Sequence, residues 1–307
     1  MIENPLVSIV VVSYNSSKYI LETLESIKDQ TYRNLELIIS DDCSTDNTVE
    51  IVQGWLKNNK HFFTNAQLVM NPKNMGVAPN ANKGVESSQG EWIKLIAADD
   101  LLTKDCIEEY VGYVLNNKDL YIAIAGTYYF DTKIPSELFC FPVKLIDGNL
   151  TQQLKQMIKQ GTIIDGPALF IERNMLVQLG GFDVKYPMAE DYPLVMKYLT
   201  NGFRVGIISK NLIKYRVHSG SVSRSNQQFS SSIMSAIEDL AIPQAKKHKM
   251  YLYWYHLYVS FWIAKNSHKS IWHKIGGYFM RSVDFVNYIK KLKFHIKNQS
   301  DIQSKIQ

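Results

Sequence analysis

The feature that most restricts the fold is a nearly unbroken run of branched apolar residues, Val7-Ser-Ile-Val-Val-Val-Ser13. A strand with one wet face alternates polar and apolar residues, whereas a run of this kind suits a strand covered on both faces, as in a parallel sheet between helices. Tyr19 to Gln30 follows, with Ile20, Leu21, Leu24 and Ile27 at helical spacing, and Leu35 to Ser40 reads as a second strand. Ser44 is then expected to cap a helix carrying Val49, Val52 and Leu56. Gln67 to Met70 and Glu91 to Ala97 read as strands around a helix at Pro79 to Ser88. Thr103 is expected to cap a further helix through Ile107, Val111 and Val114, before a strand at Leu120 to Ala125. Strand and helix in this rhythm predict an α/β fold with a doubly wound, mainly parallel sheet and right-handed crossovers.

In such sheets ligands bind at the carboxyl ends of the strands. That rule gathers the polar clusters on one rim: Tyr14 and Asn15 after the first strand, Asp41 and Asp42 after the second, Asn74 and Gly76 after the third, Asp99 and Asp100 after the fourth. The turn after the first strand is SYNSS, so neither a glycine turn for a dinucleotide nor a P-loop is present there. Adjacent carboxylates at the end of the apolar stretch Ile96-Ala-Ala-Asp-Asp100 repel one another, which points to a cation between them. Serving the N-terminus of the next helix is the other use such a pair has.

The chain has 307 residues, 46% of them hydrophobic, enough for one large domain with an appendage. Cys43, Cys106 and Cys140 are odd in number and widely spaced, so neither a disulfide framework nor a zinc site is expected, and a reducing, cytosolic setting is. The first apolar run is too short for an export signal or a membrane span. Net charge is +5, but residues 1–232 carry 22 Lys and Arg against 25 Asp and Glu, and residues 233–307 carry 12 against 4. Within that basic segment Tyr-Leu-Tyr-Trp-Tyr-His-Leu-Tyr-Val-Ser-Phe-Trp, residues 251–262, has seven aromatics, followed by Lys265, Lys269, Lys274, Arg281 and Lys290-Lys-Leu-Lys-Phe-His-Ile-Lys297. Aromatic rings beside ammonium groups suit the headgroup layer of an anionic membrane. Packing against the catalytic domain or a second copy of the chain is the alternative use. No nucleic-acid-binding motif accompanies the charge, and no nucleic acid partner is expected.

The stretch VSIVVVSYNSSKYILETLESIKDQTYRNLELIISDDCSTDNT, then NMGVAPNANKG, then GEWIKLIAADD, with GGFD at 180–183, AED at 189–191 and YRVHSGSVS at 215–223, resembles glycosyltransferase family 2. The resemblance covers roughly residues 5–225. It implies a GT-A fold and an inverting, metal-dependent transfer of a sugar from a nucleotide donor. Asp100 would contact Mn2+ or Mg2+, and Asp99 the donor ribose or the same ion, the hard cation taking its remaining ligands from diphosphate oxygens. Ala97 stands where a common family form has another Asp. Tyr14 would stack on the base and Asp42 accept its ring N–H, with Asn15 and Asp41 nearby. Asn82 or Lys83 would face the diphosphate. Asp191 would be the general base, with Glu190 as the second candidate. His218 would complete the metal shell, and Arg216 and Ser223 would reach the diphosphate. Asp165 to Phe170 and the glycines of GGFD would shape the acceptor side, where Asp183 would bind a hydroxyl or cap a turn.

The expected protein is thus a catalytic domain over residues 1–230 and a basic helical extension over 231–307. It would move a sugar, UDP-linked, to a glycan or lipid-linked acceptor in surface polysaccharide assembly, on the inner face of the cytoplasmic membrane. A catalytically silent nucleotide-sugar-binding scaffold is the competing reading. A silent relative could dispense with Asp191, which is present here.

Overall fold

The computed structural model describes residues 4–131, 134–141, 143–161, 164–218 and 227–255. Chain contacts divide it into two units, Met1–Gln244 and Ala245–Gln307, and all the strands among the described residues belong to the first. The first half alternates as expected: β1 (Val7–Ser13), α1 (Ile20–Lys28), β2 (Leu35–Asp41), α2 (Thr48–Asn59), β3 (Asn65–Met70), α3 (Val77–Glu86) and β4 (Trp92–Ala97). A two-residue β5 (Leu101–Leu102), α4 (Cys106–Asn116), β6 (Ile122–Asp131), β7 (Ile134–Phe141) and α5 (Leu150–Gln160) come next. A 3-10 turn, Gly166–Ala168, leads into β8 (Leu169–Glu172) and α6 (Arg173–Gln178), then α7 (Asp191–Thr200), β9 (Gly206–Val217) and α8 (Gln227–Ala236).

The strands form one sheet in the order β3-β2-β1-β4-β8-β6-β9-β5, with β7 on β6. Strands β1 to β4 pair in parallel, Val7 opposite both Leu35 and Trp92. Val7, Ile9, Val10 and Val11 are fully buried, as are Leu37, Ile38 and Ile39, which is what their branched composition requires. α1 presents Ile20, Leu24 and Ile27 to this sheet and α3 presents Ala78, Ala81 and Val85. Gly84 belongs to the same face, where a Cβ would run into Cγ1 of Val10.

The parallel pattern stops at β4, whose next neighbour β8 is antiparallel and is followed by β6. The strand predicted at Leu120 to Ala125 therefore joins the sheet through β8, not beside β4. Lys94, fully buried on β4, fixes this junction by donating from Nζ to the carbonyls of Pro167 and Leu169, with the Tyr110 ring 5.0 Å away. Trp92 and Phe170 stack beside it at 5.0 Å and 2°.

Two expected caps differ. α2 begins at Thr48 and α4 at Cys106, because Ser44 and Thr103 engage their hydroxyls in the preceding loops, on Asp41 and Asp105. The chain reverses beside β1, sending β2 and β3 to one side and β4 to the other, so the carboxyl ends of β1 and β4 open a crevice.

Candidate functional site

That crevice is a cleft of about 650 Å3. Tyr14, Asp42, Asp99, Glu190 and His218 line it, so the β1, β2 and β4 tips meet residues from much later in the chain. Tyr14 stands 47% exposed, a ring held open to the cleft. Asn15, at φ 48°, accepts the Thr45 N–H through Oδ1 at 2.7 Å, and its own N–H donates to Ser44 Oγ at 2.8 Å. These bonds staple the first strand's turn to the second's.

The two aspartates at the end of β2 divide their work. Asp41 turns back on its own loop, accepting from the N–H of Ser44 at 2.8 Å and its hydroxyl at 2.6 Å, and it does not line the cleft. The expectation that Asp41 binds nucleotide is corrected by that short-range capping, which a carboxylate makes readily in a tight turn. Asp42 does line the cleft. Its carboxylate takes the N–H groups of Met75 (3.0 Å) and Gly76 (2.8 Å) and the Asn71 amide (2.9 Å), so it fixes the 74–76 loop at the cleft wall. Gly76 needs its glycine: φ is 98° and a Cβ would lie 2.8 Å from the Pro187 carbonyl.

The helix after that loop reverses one assignment. Asn82 exchanges two 2.8 Å hydrogen bonds with the backbone of Phe182, and Lys83 pairs with Glu86 at 3.3 Å. Neither faces the cleft, because both lie off the sheet-facing stripe of α3. Val77 and Asn80 are the residues of α3 that do. Buried at the floor, Asn80 accepts from Ser40 Oγ and the Asn71 amide and donates to the carbonyls of Ser40 (2.9 Å) and Ser13 (3.3 Å), binding three elements together.

After β4, Asp99 lines the cleft and Asp100 lies beneath it, 1% exposed. Asp99 Oδ2 is 2.9 Å from His218 Nε2, and the imidazole leans on the Tyr19 ring at 4.8 Å. Asp100 Oδ1 accepts the Arg216 N–H at 2.8 Å, while its Oδ2 is buried without a hydrogen-bond partner. Burial first and the charge of Asp99 second push the Asp100 carboxyl well above the usual carboxylate range. Arg216 does not reach into the cleft as expected. Its guanidinium lies between the rings of Tyr19 (4.6 Å) and Phe130 (4.7 Å), and it donates to the Asp99 carbonyl at 2.7 Å and to Glu22 at 2.8 Å. Ser223 lies outside the described residues.

The Asp99 carboxylate and the His218 imidazole meet at the rim, and the orphaned oxygen of Asp100 lies buried next to them in the chain; oxygen and imidazole donors of this kind suit a divalent cation such as Mn2+ or Mg2+. Among the described residues no three such side chains converge into a ready cage, so a cation here would draw further ligands from a diphosphate.

Glu190 and Asp191 make a second acidic pair, of which Glu190 lines the cleft and Asp191 does not. Glu190 precedes α7 and crowds Gly166, where a Cβ would run into Oε1. Asp191 opens α7 and its Oδ1 accepts the Tyr192 N–H at 2.6 Å. Burial lifts both carboxyls above their ordinary range, and the charge of Asp191 lifts Glu190 further. Asp165, next to Gly166, accepts the Tyr129 hydroxyl at 2.6 Å, and its charge adds to the upward shift of both Asp100 and Asp191. The sequence marks the segment Asp165 to Phe170 but gives this residue no role of its own, since no motif singles it out. Asp183 caps a turn through the Lys185 N–H at 3.0 Å.

The mixed sheet with its rim cleft is the GT-A architecture. TarS residues 1–349 of S. aureus, solved in complex with UDP-GlcNAc, superpose with a TM-score of 0.59 at 21% identity, covering 75% of this chain and 65% of that one. The chain belongs to the family described as "Glycosyl transferase family 2", whose profile matches residues 8–173. It is 26% identical over 219 residues to the uncharacterized glycosyltransferase MJ1057 of Methanocaldococcus jannaschii, covering 70% of this chain and 72% of that one. It is 27% identical over 219 residues to TuaG of Bacillus subtilis, a putative teichuronic acid biosynthesis glycosyltransferase, covering 71% and 82%.

Proposed function

We propose that this chain transfers a sugar, with inversion, from a UDP-linked donor to a hydroxyl of a glycan or lipid-linked acceptor in surface polysaccharide assembly. The observation that carries the reading is the meeting of Tyr14, Asp42, Asp99 and Glu190 on one cleft, which brings a base-stacking ring and two separate acidic groups to one ligand-sized space. The TarS complex with UDP-GlcNAc and the teichuronic acid role ascribed to TuaG support the donor class and the setting.

Tyr14 offers its exposed face to the base. Asp42 already accepts from three chain donors, and a base N–H would be a fourth, within a carboxylate's capacity. Asp191, next to Glu190 at the start of α7, takes the proton of the attacking acceptor hydroxyl. Its negative charge keeps the proton on Glu190 to higher pH, which leaves Glu190 a hydrogen-bond donor to substrate. Asp99 and Asp100, with His218 beside them, would hold Mn2+ or Mg2+, which when bound offsets the charge growing on the departing diphosphate. No helix among the described residues is long and apolar enough to cross a membrane. Attachment to an anionic surface would fall to the basic, aromatic segment, most of which lies outside the described residues.

The test is thermal stabilisation by UDP, UDP-glucose and UDP-GlcNAc with Mn2+, coupled to sugar release. Stabilisation that is lost in Asp100→Asn and kept in Asp191→Asn, with release lost in both, is the expected pattern. No response to any of the three nucleotides in the wild-type protein would falsify the reading.

A further inference from the structure

A second groove, of about 420 Å3, adjoins the cleft. The two share Asn74, Gly76 and Met188, so one wall serves both. That wall is stiff: Asp42 clamps the N–H groups of Met75 and Gly76, and the Ala78 N–H donates to the Pro187 carbonyl at 3.0 Å. The far wall is α8, which contributes Ser231, Ser232 and Ser235. Ser231 and Ser235 are one helical turn apart and exposed, while Ser232 is buried at 6%.

The chemistry of this lining selects a class of ligand. Each serine hydroxyl both donates and accepts, matching a partner that carries hydroxyls rather than charge. Lys185, the lysine in the lining, is held at 2.7 Å by Asp239, which also accepts the Tyr186 hydroxyl at 2.9 Å. A phosphate would have to compete with that carboxylate for the ammonium. Pro187 and Met188 add apolar surface against which the C–H face of a sugar ring can rest, and a thioether adapts to it.

We propose that the groove between the 74–76 loop and α8 binds neutral sugar units of a glycan acceptor, beyond the unit whose hydroxyl reacts in the cleft. This rests on the transferase reading of the cleft. It makes the acceptor an oligosaccharide rather than a single sugar, with its chain leaving past Met188.

The experiment is saturation-transfer NMR on the full chain with three neutral trisaccharides, chitotriose, cellotriose and maltotriose, alongside calorimetry with UDP and Mn2+. Ser231→Trp with Ser235→Trp fills the groove from exposed helix positions. At least one trisaccharide is expected to show saturation transfer to the wild type, weakened about tenfold or more in the double variant, with UDP affinity unchanged. The inference is overturned if no trisaccharide binds the wild type, if the double variant binds one equally well, or if inorganic phosphate displaces it. Saccharide binding without UDP binding would instead sink the transferase reading and leave the groove standing as a saccharide site.

Discussion

Nε2 of His218 lies 2.9 Å from Oδ2 of Asp99, joining the end of β9 to the rim of β4. The contact brings an imidazole from the end of a strand separated from β4 by β8 and β6 to the acidic pair, which the order of the chain alone does not suggest. Asp99→Asn is expected to cut UDP affinity in the presence of Mn2+ by about tenfold or more, with little change in melting temperature, since Asp99 faces the cleft rather than the core. Calorimetry with and without Mn2+ checks it. An affinity loss of equal size in the absence of metal would show that Asp99 acts on the nucleotide alone.

Arg216 is expected to behave differently. Its guanidinium is 5% exposed, stacked between two rings and bonded to Glu22 and the Asp99 carbonyl. Arg216→Met takes the side-chain donor from the Asp99 carbonyl and the guanidinium from between the two rings, while the exposed Glu22 returns to water, and should destabilise the protein by about 1–3 kcal/mol. Arg216→Lys keeps the charge but not the planar fork, and should recover only part of this. Urea unfolding measures both, and a lysine variant as stable as wild type would refute the stacking argument.

The parallel half of the sheet was legible because Val7–Ser13 and its successors are apolar throughout, and two-sided burial leaves little other choice. The second half was not. β8 is four residues long and pairs antiparallel on both sides, a topology set by contacts such as those of Lys94 that no local pattern encodes. In the site, the rim rule located Tyr14, Asp42 and Asp99. It could not separate Asp41 from Asp42, because neighbouring side chains at a strand's end point opposite ways and the turn decides which is used. Asn80, in place of Asn82, was within reach of the sequence: Gly84 marks the face of α3 that meets the sheet, and Asn80 is one turn before it.

Gly84→Ala tests that packing. The added methyl meets Val10 on a strand with no room to yield, so the variant should lose about 1–3 kcal/mol of stability. Gly54→Ala on α2, where a Cβ meets nothing within 4 Å, should be neutral or slightly stabilising. Chemical denaturation of the two variants side by side decides it; equal effects would contradict the close approach of helix and strand.

The basic segment invites a salt test. Replacing Lys290, Lys291, Lys293 and Lys297 by Gln removes four of its charges. With roughly 1 kcal/mol per basic residue near an anionic surface, binding to phosphatidylserine vesicles should fall by about a hundredfold or more, while neutral vesicles show no difference. Sedimentation of the wild-type chain that is indifferent to vesicle charge would count against membrane attachment.

The acidic pair at the start of α7 makes stability and activity run in opposite directions with pH. Glu190 and Asp191 are both lifted above the ordinary carboxylate value of about 4 by burial. A carboxyl whose folded pKa is raised contributes stability that is fully present below its unfolded pKa and is lost as pH rises through the folded one. The melting temperature should therefore decline across that interval, and Glu190→Gln, which cannot ionise, should decline less, so that its advantage over wild type widens with pH. Transfer needs Asp191 ionised, so the rate should climb over the same interval, later than an exposed aspartate would allow. Removing Glu190's proton-holding partner charge with Asp191→Asn should lower the pKa of Glu190 and abolish the rate. A melting temperature in Glu190→Gln that tracks wild type at every pH would show that the pair is ionised at no cost, and the assignment of Asp191 as base would lose its physical support.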